Sequence, residues 1–113
     1  MYFISSPYSH EIPAVVELRM GQLNCAIAQL TEKGVLCVSP LWNHYVLPYS
    51  KTMGTDWNFW KVYCENLISR CDGIIVLDNI DGWDKSRGVA AEIEYTETLL
   101  KPVLYYSEYM NLR

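Results

Sequence analysis

The residue types best suited to chemistry lie in residues 81–95, around the carboxylate of Glu92. Ser86 is a plausible N-cap of a helix there, which puts Glu92 about one and a half turns inside it. The segment follows an apolar run, residues 73–77, that is typical of a buried strand. Open α/β sheets bind ligands beyond the carboxyl ends of their strands. We therefore take Glu92 as the candidate catalytic nucleophile.

Polar and aromatic side chains also gather in loops that follow the other predicted strands. Residues 5–10 read Ser-Ser-Pro-Tyr-Ser-His, residues 39–44 read Ser-Pro-Leu-Trp-Asn-His, and residues 78–84 read Asp-Asn-Ile-Asp-Gly-Trp-Asp. Turns alone do not require this concentration of hydroxyls, carboxylates and aromatic rings. Because the carboxyl ends of parallel strands meet at one edge of a sheet, these loops predict a single ligand site.

Short apolar strands alternate with amphipathic helices along the whole chain. We predict strands over 2–5, 35–38, 73–77 and 102–106 and helices over 13–33, 57–69 and 86–100, with residues 42–55 irregular and the tail 107–113 ambiguous. The alternation predicts an α/β fold: a small doubly wound, flavodoxin- or Rossmann-like parallel sheet of four to five strands with helices on both faces. At 113 residues the chain forms one domain, 1–113.

Local signals mark the ends of the predicted helices. Pro13 suits a first helical turn and Gly34 a position just past a helix end. Thr55 or Asp56 caps the second helix. On that helix Trp57 and Trp60 share a face, which predicts that both belong to the core.

Composition argues against several classes of protein. With a net charge of −4 the chain lacks the basic surface of a general nucleic-acid binder. No apolar stretch reaches the roughly 18 residues of a membrane span. The four cysteines form no CxxC pair and predict reduced, buried thiols in a cytoplasmic protein. No His or Cys spacing predicts a metal site, and no cofactor is expected.

Three motifs, each on the expected element, together resemble the nucleoside 2-deoxyribosyltransferase superfamily. They are Ser6-Pro7-Tyr8 after the first strand, Ser39-Pro40 after the second, and Ser86-X-Gly88-Val89-X-X-Glu92. The third is also similar to the signature of 2′-deoxynucleoside 5′-phosphate N-hydrolases. The version with Asp81-Gly82-Trp83-Asp84 most resembles a small branch found in bacteria and phages. The resemblance covers residues 2–104, nearly the whole chain.

The resemblance implies cleavage of an N-glycosidic bond in two steps, with Glu92 attacking C1′ and water or a second base resolving the ester. It implies that Ser86 and Gly88, with Arg87 nearby, bind a 5′-phosphate at a helix start. Arg19 matches a family arginine on the first helix and would add charge to the pocket. Tyr8 would orient the sugar or the nucleophile.

Other residues of these loops are candidates for the same site. Asp56 is a candidate acid over the pocket, and Trp42 and Trp83 are candidates to stack on a base. Further candidates for contact with the substrate follow the strands: Ser6, Pro7, Ser39 and Asp78.

Several of these assignments have a structural alternative. Glu92 could be a solvated helix residue, Asp56 a simple N-cap, and Arg19 a surface ion-pair partner. Ser86 can be an N-cap and part of the site at once. The loop histidines His10 and His44 remain open as substrate contacts.

Three functions and one assembly state follow from the same residues. The first is an enzyme, hydrolase or transferase, acting on nucleosides or nucleotides. The second is a protein that binds a nucleotide or nucleotide-derived signal in the same pocket without cleaving it. The third is a structural partner domain. The nine tyrosines and four tryptophans predict a homo-oligomer. The resemblance implies the same, because members of the superfamily are commonly oligomers.

Overall fold

A four-stranded, all-parallel sheet forms the centre of the molecule in the computed structural model, which describes residues 1–53 and 56–111. The strand order is β2-β1-β3-β4. The strands are β1 (Tyr2–Ser5), β2 (Cys37–Val38), β3 (Gly73–Val76) and β4 (Val103–Tyr105). Strand β3 is buried throughout because helices cover both faces of the sheet.

Within the described residues, four α-helices cover the sheet on its two faces. They are α1 (Pro13–Glu32), α2 (Trp57–Ser69), α3 (Arg87–Thr98) and α4 (Tyr106–Asn111). Leu23, Ile27 and Leu30 of α1 pack with Tyr106 of α4 in one core cluster. Helices α2 and α3 contribute to a second cluster. The doubly wound α/β fold with helices on both faces is therefore confirmed.

The second cluster lies on the opposite face of the sheet. Phe3 of β1 and Ile74 of β3 point into it, together with Ile68 of α2 and Val89 of α3. Their neighbours Ile4 and Ile75 belong to the first cluster, as the alternation of side chains along a strand requires. Tyr106 is buried in the first cluster while Tyr105 packs against the second.

Two segments have more structure than their sequence predicts. Residues 40–49 form consecutive 3₁₀ turns where an irregular loop was expected, with Ser39 Oγ accepting the Leu41 N–H at the start. The ambiguous tail contains α4, whose first turn is held by Asp78 Oδ1 accepting the Ser107 N–H at 2.9 Å. That contact joins residues 29 positions apart, so no local pattern could indicate it.

The strand order creates a crevice at the carboxyl edge of the sheet. From β1 the chain crosses to β2 on one side, and from β3 it crosses to β4 on the other. Strands β1 and β3 are neighbours, with Ser5 opposite Val76 at their ends. This is the topological switch point at which doubly wound proteins bind ligands. In the ranges that the structure describes, no helix is long and apolar enough to cross a membrane.

Candidate functional site

An open cleft of about 930 Å³ lies over the switch point. The β1–α1 loop and Arg19 of α1 form one wall, and the first turns of α2 and α3 form another. The β3–α3 loop, residues 81–85, and the segment after β2, at Pro40 and Leu41, complete it. The cleft is large enough for a small organic ligand such as a nucleotide.

Glu92 lines this cleft from the second turn of α3, and its side chain is partly buried. Ser5 Oγ, at the end of β1, donates a hydrogen bond to Glu92 Oε1 at 2.6 Å. The Cys64 thiol of α2 donates a second bond to the same carboxylate. Three elements therefore fix this side chain, and the solvated-surface alternative for Glu92 is wrong.

Burial raises the pKa of Glu92 from 4.5 to about 7, because desolvation disfavours the charged carboxylate. The hydrogen bonds from Ser5 and Cys64 act in the opposite direction and lower it. Burial and the adjacent negative charge of Glu92 raise the pKa of Cys64 far above its ordinary value. The thiol therefore stays protonated and serves as a hydrogen-bond donor.

Arg19 joins the two loops that face each other across the cleft. Its Nη1 donates to the Ser9 carbonyl at 2.8 Å and its Nη2 to the Asp81 carbonyl at 3.3 Å. Gly82 has a left-handed φ of 88°, and a Cβ there would lie 2.6 Å from Arg19 Nη2. The left-handed backbone favours glycine at this position, and a side chain there would also displace the Arg19 guanidinium. The surface ion-pair alternative for Arg19 is not what the structure shows.

Two buried polar atoms beside the cleft lack a partner among the described residues: Ser6 Oγ and Arg19 Nε. Buried polar atoms in proteins are almost always hydrogen-bonded, so such atoms call for an explanation. Both residues line the cleft. A polar ligand, or water in its place, would supply the missing partners.

Helix α3 begins at the cleft. Ser86 Oγ caps it by accepting the Val89 N–H at 3.2 Å, and Arg87 and Gly88 form its first turn. All three residues line the cleft. The Trp57 ring at the start of α2 lies 3.8 Å from where a Cβ on Gly88 would stand. An indole thus faces the amino end of α3, which favours anions.

The structure brings seven of the predicted site residues together on the cleft: Ser6, Tyr8, Arg19, Ser86, Arg87, Gly88 and Glu92. The other six lie outside its lining: Pro7, Ser39, Trp42, Asp56, Asp78 and Trp83. Contacts within the protein account for five of these six: Ser39, Trp42, Asp56, Asp78 and Trp83.

Asp56 is exposed and caps α2 by accepting the Asn58 N–H, so the simple-cap alternative describes it. Thr55, the other candidate cap, lies outside the described residues. Ser39 caps the 3₁₀ segment and Asp78 the start of α4. Pro7 is buried beside the cleft.

The two tryptophans predicted to stack on a base are engaged elsewhere. Trp42 Nε1 donates to Asn24 Oδ1 at 3.4 Å. Trp83 packs edge-on against Tyr105, with ring centroids 5.7 Å apart, in the second core cluster. The indoles on the cleft are those of Trp57 and Trp60. Trp57 is 49% exposed, so its assignment to the core is wrong.

Sequence reasoning also missed Ser5 and Cys64, the two donors to Glu92. No spacing marks them, since Ser5 is 87 residues away from Glu92. The prediction of buried thiols is wrong for Cys25, which is exposed. Of the loop histidines, His10 lines the cleft and its Nδ1 accepts the Ile12 N–H, while nothing is described of the His44 side chain.

Fold and site together define a doubly wound α/β domain with a carboxylate-bearing cleft at its switch point. Residues 1–108 match the family described as a domain of unknown function, DUF1937, and the chain belongs to that family. No curated protein matches the chain. Over residues 1–53 and 56–111, no group of three or more His, Cys, Asp or Glu side chains could hold a metal ion.

Proposed function

We propose that the cleft binds a nucleoside or nucleotide and that Glu92 cleaves its N-glycosidic bond as a carboxylate nucleophile. The observation that carries this proposal is the 2.6 Å contact from Ser5 Oγ to Glu92 Oε1 at the switch point. It orients one carboxylate in a ligand-sized cleft, and orientation is a large part of catalysis. The resemblance of residues 86–92 to the nucleoside 2-deoxyribosyltransferase superfamily supports the same role for Glu92.

In the proposed reaction a Glu92 oxygen attacks C1′ and the bond from C1′ to the base nitrogen breaks. The base leaves with the electron pair and takes up a proton. Water then attacks C1′ of the glycosyl ester, gives a proton back to the residue that protonated the leaving base, and releases the Glu92 carboxylate. In a transferase a second nucleobase attacks C1′ instead and receives the sugar. His10, Asp81 and Asp84 line the cleft and are the candidates to protonate the base.

A 5′-phosphate on the substrate is supported by the charges around the start of α3. Lys85 and Arg87 line the cleft there, beside the first turn of the helix. Backbone N–H groups at a helix start, together with cations, favour an anion. Ser6 Oγ, which has no hydrogen-bond partner among the described residues, can donate to a sugar or phosphate oxygen. Nucleoside 5′-monophosphates are therefore the first substrates to test.

Binding without cleavage is the second candidate function, and the pKa of Glu92 favours it. With a pKa of about 7, roughly half of the Glu92 carboxyls are protonated at neutral pH. A neutral carboxyl attacks C1′ poorly but donates a hydrogen bond well. Such a protein would sequester a nucleotide or a nucleotide-derived signal in the same cleft.

We also propose that the protein is a cytoplasmic homo-oligomer. Tyr45 and Tyr49 of the 3₁₀ segment are 64% and 90% exposed, and Phe59 and Val62 of α2 are also exposed. Apolar surface of this kind favours burial against a second copy. All four cysteines, each within a described range, are free thiols, as a reducing compartment favours. Light scattering tests the assembly, and a monomer at micromolar concentration contradicts it.

Incubation with ribo- and deoxynucleosides and their 5′-monophosphates, with free base followed by chromatography, tests the function. We expect wild type to release base and Glu92→Gln to be slower by about 10⁴-fold or more, as when other nucleophiles are removed. Glu94→Gln is the matched control, since Glu94 is exposed on the same helix and should keep full activity.

The remaining outcomes separate the two candidate functions. Base release by Glu92→Gln at the wild-type rate contradicts the assignment of Glu92 as the nucleophile. An absence of release, combined with thermal stabilisation of both wild type and Glu92→Gln by one nucleotide, replaces the enzyme with the binding protein. If no nucleotide is cleaved and none stabilises the protein, both candidate functions are contradicted.

A further inference from the structure

A second, smaller cavity adjoins the cleft beside Glu92, and we propose that it receives a small alkyl substituent on the base of the bound ligand. We refer to this cavity as the annex. It lies between α2 and α3 and has a volume of about 50 Å³. This inference rests on the proposed function and narrows its substrate to nucleotides with an alkylated base.

The annex adjoins the cleft. Four side chains line both cavities: Trp57, Trp60, Cys64 and Glu92. A ligand group placed at Glu92 therefore lies next to the annex. In the proposed reaction C1′ stands at the Glu92 carboxylate, and the base begins one bond away. The base is also the part of a nucleotide whose substituents vary. Its edge is therefore the group best placed to enter.

The inner wall of the annex is apolar. Ile68 is fully buried, and Ala91 and Tyr95 of α3 face it across the gap. Lys61 and Glu65, from the same face of α2, also border the cavity. A small apolar space of this kind is hydrated poorly, so a polar substituent gains little there and an alkyl group gains its full transfer energy.

The size and rigidity of the annex limit the substituent. The Trp60 ring is held edge-on by Phe59 at 5.2 Å and by Tyr63 at 5.3 Å between ring centroids, so it resists displacement. A space of about 50 Å³ accommodates a methyl, ethyl or similar group and excludes a second ring. The expected ligand is thus a nucleotide with a short alkyl group on its base.

Calorimetric titration of Glu92→Gln, which binds without turnover, measures the preference. The probes are the 5′-monophosphates of deoxyuridine, thymidine and 5-ethyldeoxyuridine, and those of deoxyadenosine, N6-methyldeoxyadenosine and N6-ethyldeoxyadenosine. In one series we expect the dissociation constant to fall roughly fourfold for each added carbon. The 5-hydroxymethyl analogue, similar in shape to 5-ethyl, should gain less because its hydroxyl is desolvated.

A matched pair of variants, each made in the Glu92→Gln background, tests whether the annex is the cause. Ala91→Leu fills the annex and should bring the affinity ratio of alkylated to parent nucleotide to about one. Ala90→Leu makes the same change at an exposed neighbouring position of α3 and should keep the original ratio. Parent nucleotides that bind with no alkyl preference, or a preference that survives Ala91→Leu, overturn the annex and leave the proposed function standing. A failure of every nucleotide to bind overturns both.

Discussion

The contact between Ser5 and Glu92 illustrates what single residues contribute to this cleft. Burial alone would leave Glu92 a neutral carboxyl at neutral pH, because an ionised group loses its hydration there. Hydrogen bonds from Ser5 and Cys64 stabilise the charged form. The resulting pKa of about 7 keeps both protonation states populated at neutral pH. A group poised in this way is typical of functional sites.

Replacing Ser5 by Ala should raise the pKa of Glu92 above about 7, because the bond removed is one that favours the charged carboxylate. If Glu92 is the nucleophile, the rise of base release with pH should move to higher pH by the same amount. NMR titration of the labelled glutamate carboxyls measures the shift without any substrate. Ser69→Ala, on an exposed helix end, should leave the midpoint in place. An unchanged midpoint in Ser5→Ala would mean that this contact does not tune Glu92.

Two helices of this fold end in the same hydrogen-bonding pattern but with different residues. After α1, the Gly34 and Val35 N–H groups bond to the Thr31 and Leu30 carbonyls. After α3, the N–H groups of Leu100 and Lys101 bond to the Glu97 and Thr96 carbonyls. Both are Schellman motifs, which require a left-handed residue. Gly34 adopts φ 81° without strain, whereas Leu100 adopts φ 57° with a side chain that is 93% exposed.

Leu100→Gly should therefore raise the free energy of unfolding by about 0.5–1 kcal/mol, because it relieves left-handed strain and removes few contacts. The reciprocal change, Gly34→Ala, should lower it by about 1 kcal/mol, since nothing around Gly34 obstructs a Cβ and only the backbone conformation opposes it. Urea denaturation of both variants measures these differences. Equal effects of the same sign would contradict the backbone explanation.

Helix α2 shows where an element-level prediction fails. Its bounds agree with the prediction, since a local cap and periodicity set them. Trp57 nevertheless lies on the cleft although it shares a face with apolar residues. The periodicity identifies an apolar face but cannot tell whether the sheet or a ligand cavity covers each turn of it.

At the scale of the whole molecule, Glu92 makes stability depend on pH. Its pKa rises from 4.5 in the unfolded chain to about 7 in the folded protein. The folded protein thus holds the proton more tightly than the unfolded chain does. The stability that protonated Glu92 contributes is lost as pH rises from about 4.5 to about 7. The difference between the folded and unfolded pKa values of Glu92 corresponds to about 3 kcal/mol in the free energy of unfolding.

Glu92→Gln should remove this loss of stability at higher pH, because the glutamine amide stays neutral whereas the buried Glu92 carboxyl ionises. We expect the variant to match wild type near pH 4.5 and to exceed its free energy of unfolding by up to about 3 kcal/mol at pH 8. Urea denaturation across this pH range gives the difference curve. The exposed Glu94→Gln should follow wild type throughout, and parallel curves for wild type and Glu92→Gln would contradict the raised pKa.

The alternation of apolar strands and amphipathic helices determined the fold class, and Ser86, Pro13 and Gly34 marked helix ends near their true positions. These features depend on neighbours within a few residues, so the sequence carries them in full. Tertiary structure alone decided that Ser5 meets Glu92 across 87 residues and that Arg19 reaches Asp81 across 62. It also decided that Trp57, and not Trp42 or Trp83, lines the cleft. Such contacts follow from how the helices pack on a twisted sheet, which local periodicity does not encode.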